Sequence, residues 1–160
     1  MKTTWALMLL LCLGCGQKTN VNPGGNAYIK LTVAGKSWNS DGVAVIGISQ
    51  TDGKHNLTIS GRDEGFEGET SSFAAVFSSA AEITIGTYAV GASDPGVTLT
   101  KLNGKTYIGG GLARTSFVIN ITETSGSGSA KKLKGTFSGE MKGTAPGDVV
   151  TVTNGEFSSL

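Results

Sequence analysis

From residue 27 onward the apolar residues of this chain recur with a period of two, and glycine-bearing turns cut the runs short. A period of two places alternate side chains on opposite faces of a strand, whereas a helix needs apolar residues three and four apart. No window shows a sustained helical spacing. Ile29, Leu31 and Val33 alternate with Tyr28, Lys30 and Thr32. Ala44, Ile46 and Ile48 share one face of a second run, and Leu57 and Ile59 one face of a third. Phe73, Ala75 and Phe77 repeat the pattern, as do Val97 and Leu99, then Phe117, Ile119 and Ile121. Lys131–Lys142 reads Leu133, Phe137 and Met141 inward and Lys132, Lys134, Ser138 and Glu140 outward. Val150 and Val152 begin a last strand, with Phe157 beyond. Asp52-Gly53 and Asn103-Gly104 are strong signals for two-residue hairpin turns. Gly35-Lys36 also reads as a turn, with Trp38 after it, and Glu82–Val90 as a strand bent at Gly86.

These elements predict an all-β domain of eight to ten short strands. An antiparallel β-sandwich fits the short, glycine-broken strands best, and a flattened up-and-down β-barrel is the alternative. The 25 glycines suit strands joined by tight turns. The β domain is expected over residues 27–160 as a single unit.

The first 26 residues differ in kind. MKTTWALMLLLCLGC has a basic residue, Lys2, then eight apolar residues from Ala6 to Leu13, too few to span a bilayer core as a helix. Gly14-Cys15 follows. This order predicts a bacterial lipoprotein signal peptide over 1–14, cleaved before Cys15, with lipid on the Cys15 thiol. Cys12 stands where an aliphatic residue is usual, and it leaves with the leader. Cys15 is then the one remaining cysteine, which excludes a disulfide framework. Residues 15–26, with GQKTNVNPGGN after the cysteine, offer nothing to bury and read as a tether.

Without Lys2, the thirteen basic residues become twelve, balanced against twelve acidic ones. The neutral mature chain has no basic excess to attract nucleic acid. Chemistry-bearing motifs are sparse. Gly35-Lys36-Ser37 and Gly104-Lys105-Thr106 imitate the end of a phosphate loop but lack its first glycine and following helix, so both read as turns. His55 is the only histidine. One histidine does not make a zinc site, and no G-x-S-x-G elbow accompanies it. Asp63, Glu64, Glu67 and Glu69 form an acidic, glycine-broken loop that reads as solvated, with Ca²⁺ the only metal its oxygens would suit. No catalytic, cofactor-binding or metal residue is assigned. Tyr28 and Trp38 are the aromatics named for stacking on a ligand, although Trp38 also fits a core position at one end of the domain.

Gly35-Lys36-Ser37-Trp38, Gly86-Thr87-Tyr88, SFVINITE over 116–123, KGTFSG over 134–139 and VTVTNGEF over 150–157 resemble a group of Bacteroidota lipoproteins with a single β-rich domain of unknown function. The resemblance implies the cell envelope as habitat and brings no catalytic residue. The expected protein is a non-enzymatic outer-membrane lipoprotein with a binding or structural role. Its partners would be the membrane, through the lipid, and a glycan or another envelope protein. A surface carbohydrate-binding module is the alternative, and a small hydrolase is disfavoured.

Overall fold

Asp52-Gly53 and Asn103-Gly104 each make a hairpin. In the computed structural model, which describes residues 27–40, 43–111 and 113–160, Asp52 and Gly53 have φ of 51° and 73°, and Asn103 and Gly104 have 50° and 71°. Two successive positive φ values give the turn twist that matches right-twisted strands. A third turn of this kind, Ala34-Gly35 (φ 50° and 76°), sits one residue earlier than the sequence indicates.

Eleven strands result: β1 Tyr28–Val33, β2 Lys36–Asn39, β3 Ala44–Thr51, β4 Lys54–Asp63, β5 Ser71–Ser79, β6 Gly86–Ala89, β7 Gly96–Leu102, β8 Lys105–Gly109, β9 Phe117–Ser125, β10 Lys132–Lys142 and β11 Val149–Ser158. All pairings are antiparallel. The main path runs β2-β1-β11-β10-β8-β7-β5-β4-β3, and β9, carrying β6, also pairs with β10. The sheet forks at β10, whose first part pairs with β9 and whose Met141 and Lys142 pair with β8. The fold is therefore all-β, with a single hydrogen-bonded sheet curled into a half-barrel. The two layers of the expected sandwich belong to one continuous ladder.

Curling puts one face inside. Phe73 of β5 stacks on Phe137 of β10, with centroids 4.9 Å apart at 13°, and Trp38 meets Phe73 edge-on at 6.1 Å. Phe117 and Phe157 lie 6.1 and 6.4 Å from Phe137. The inward residues read from alternation on β1, β4, β9 and β10 are buried. Between them sit glycines. Gly135 pairs with Phe157, Gly155 with Phe137 and Gly139 with Phe117. Each ring lies over the glycine opposite, and an added methyl at Gly135 would collide with the Asn120 carbonyl oxygen.

Two segments depart from the expected strands. Residues 80–85 are irregular, so β6 is shorter than the predicted 82–90. Side chains take the place of a ladder there. The Tyr88 hydroxyl donates to the Thr84 carbonyl (2.8 Å) and accepts its N–H (2.9 Å), and Lys131 Nζ donates to the Ile83 carbonyl (3.0 Å). Asn154, at φ 51°, lies within β11 as a bulge, where residues 153 and 154 face Ser138 alone.

Candidate functional site

A polar cleft lies beside β3. The 3₁₀ turn Gly128–Ala130, between β9 and β10, lies against β3. Between them opens a cleft of about 220 Å³ lined by Ile48, Ser49, Gln50, His55, Glu82, Gly128, Ser129 and Lys131. Gln50 and His55 face one another as a ladder pair just before the Asp52-Gly53 turn. Glu82 comes from the irregular segment and Lys131 from the end of the 3₁₀ turn. The Lys131 side chain is 9% exposed, and Nζ donates to Glu82 Oε1 at 2.7 Å. That ammonium holds the Glu82 carboxyl below its ordinary range, first through the hydrogen bond and then through its charge, with a smaller contribution from His55. Glu82 and Lys131 are thus committed to each other, beside His55. The volume is below the several hundred Å³ of a typical ligand pocket.

The acidic loop has other employment. Asp63 is buried, and its carboxylate accepts the backbone N–H groups of Asn39 and Gly65, each at 2.9 Å. It ties the end of β2 to the end of β4, two strands far apart along the sheet. Glu67 pairs with Lys36 and accepts the Asn103 N–H, and Glu69 stands 3.8 Å from Lys101. Among the described residues no group of three His, Cys, Asp or Glu side chains is placed to share a metal ion.

A second polar cluster braces the other end. Asp148 accepts from Lys105 Nζ at 2.9 Å and from the Tyr107 hydroxyl at 3.0 Å. Lys105 and Tyr107 hold the Asp148 carboxyl down by hydrogen bonding, while burial and then the Asp148 bond push the Tyr107 hydroxyl up. This pins the β10–β11 connection onto β8.

The named aromatics separate. Trp38 is fully buried against Phe73, so it has no face for a ligand; its expected core position is the one it occupies. β2 turns it inward as the one buried residue of that strand. Tyr28 is half-buried, and Lys30 Nζ sits 5.1 Å from its ring centroid. Tyr107 is buried and Tyr88 half-buried, bonded to Thr84. The structure brings His55 together with Glu82 and Lys131, a grouping that no sequence motif announces. Cys15 and the tether over 15–26 lie outside the described residues. Among the described residues no helix is long and apolar enough to cross a membrane. No family model, curated protein or solved structure matches the chain.

Proposed function

We propose that this chain is a lipid-anchored, non-enzymatic domain of the bacterial cell envelope, held to the membrane through Cys15 and acting through its rigid outer surface. The observation that carries this reading is the filled interior. Trp38, Phe73, Phe117, Phe137 and Phe157 pack from one side of the half-barrel to the other, and all are buried. A barrel built to hold a lipophilic ligand keeps an open apolar lumen. Here that space is occupied by side chains, so recognition falls to strand edges and loops. The commitment of Lys131 to Glu82 supports a binding or structural role over hydrolysis, since it leaves neither group poised for proton transfer. The anchor rests on the order Lys2, apolar run, Gly14-Cys15.

Metabolic labelling with an alkyne palmitate in a bacterial host, followed by Triton X-114 partition, tests the anchor. The natural chain should take up label and enter the detergent phase. Cys15→Ser should lose both properties, and Cys12→Ser should keep both. Label retained by Cys15→Ser would overturn the assignment.

A further inference from the structure

The half-barrel has strand ends at β2, β6 and β3, and it treats them differently. Free edges of sheets invite pairing with other chains, and proteins blunt them with short strands, charges, proline or a covering segment. β2 has four residues, begins with Lys36 and is tied at Asn39 to Asp63. β6 also has four residues. β3 has eight, Ala44-Val45-Ile46-Gly47-Ile48-Ser49-Gln50-Thr51, with no charge and no proline. The 3₁₀ turn at Gly128–Ala130 approaches its far half, where Ile48, Ser49 and Gln50 line the cleft. The near half, Ala44 to Gly47, is bonded in the ladder only to β4 among the described residues, and β10 comes close to β3 without bonding it.

The direction of the unpaired groups follows from the hairpin. Thr51 and Lys54 flank a two-residue turn, and the Arg62 N–H donates to the Val43 carbonyl at 3.3 Å. In an antiparallel strand the N–H and C=O of one residue point to the same side, alternating along the chain. Odd-numbered residues of β3 therefore bond β4, and the N–H and C=O of Ala44 and Ile46 point outward.

We propose that β3 pairs antiparallel with β3 of a second copy of this chain, making one sheet continuous across a two-fold axis. The strand is neutral, so an identical strand meets no like charge. A two-fold centred on Val45 sets Ala44 against Ile46 of the other copy, twice, and each pair can exchange two backbone bonds. It keeps core-face residues beside core-face residues and sets Val43, 46% exposed, against Gly47. At Gly47 the direction a side chain would take is open, with nothing within 4 Å. A ladder this short is far below a standard interface, so the dimer is weak and concentration-dependent.

The test is sedimentation velocity of the full chain in mild detergent, from about 10 µM to about 1 mM. Ala44→Pro removes an outward N–H and spares the β4 ladder. Gly47→Lys sends a charge from the opposite face into open space. The natural chain should shift from monomer to dimer over this range. Both variants, with far-ultraviolet circular dichroism unchanged, should raise the dimer dissociation constant roughly tenfold or more. A natural chain that stays monomeric throughout, or a dimer that survives either folded variant unweakened, overturns the proposal.

Discussion

Phe137→Ala should be among the most damaging substitutions in this domain. The side chain is 3% exposed and lies among the rings of Phe73, Phe117 and Phe157, with Gly155 directly opposite. Removing a buried phenylalanine ring costs about 3–5 kcal/mol, depending on how far the site collapses. Collapse is hindered here. Both flanking strands, β9 and β11, are bonded to β10, and the glycine opposite has no side chain to move into the hole. Ring pairs add about 0.5–1.5 kcal/mol each beyond area burial, and Phe137 has three. The upper end of the range, about 4–5 kcal/mol, is expected, a large share of the roughly 5–15 kcal/mol that holds a domain folded. Glu140, exposed on the same strand, should change stability by less than about 0.5 kcal/mol when replaced by alanine. Urea unfolding followed by the fluorescence of Trp38 measures both, because that indole packs on Phe73, itself stacked on Phe137. The Phe137→Ala midpoint should fall steeply with little change in slope. Equal midpoints for the two variants would refute the inward assignment of Phe137 and the register built on it.

Gly135→Ala should destabilise by about 2 kcal/mol or more, because the methyl meets the Asn120 carbonyl and the Phe157 ring, whereas Gly47→Ala, with nothing nearby, should stay within about 0.5 kcal/mol; urea midpoints for the pair check this. Asp148 has a folded pKa below its ordinary 3.8, so its contribution is complete above that value and is lost as pH falls through the folded one; Asp148→Asn should flatten the acid limb of a stability–pH curve below about pH 4 and leave stability between pH 6 and 8 less dependent on Lys105, and an unchanged acid limb would refute the role given to the cluster.

Much of this architecture is legible in the chain because alternation and turn chemistry are local. Ile29, Leu31 and Val33 declare their face through their neighbours, and Asp52-Gly53 needs no distant contact to bend. The Ala34-Gly35 turn is harder to read, since alanine is a poor signal for positive φ, and its shift by one residue hides β2. The glycines of β10 are harder still. Alternation shows Leu133, Phe137 and Met141 as inward and leaves Gly135 and Gly139 as gaps, yet each gap is filled by a phenylalanine from the strand opposite. Register across strands decides this, and register is not written in one segment. The cleft is non-local in the same sense. Glu82 and Lys131 lie 49 residues apart, and neither stands in a motif.

The filled core also bears on where selectivity can reside. The core is apolar and aromatic, and three carboxylates at its margins are used internally: Asp63 by Asn39 and Gly65, Asp148 by Lys105 and Tyr107, Glu82 by Lys131. A group already bonded within the fold must give up that bond to take a ligand, which lowers the net gain from any new contact. The backbone groups of Ala44 and Ile46 point away from β4, toward the side on which the proposed partner strand would bond them. The proposed backbone pairing along β3 would discriminate through strand length and neutrality rather than through a shaped pocket. Placing Lys at Gly47 alters that discrimination without touching the core, which is why it separates an edge-borne function from one seated in the cleft.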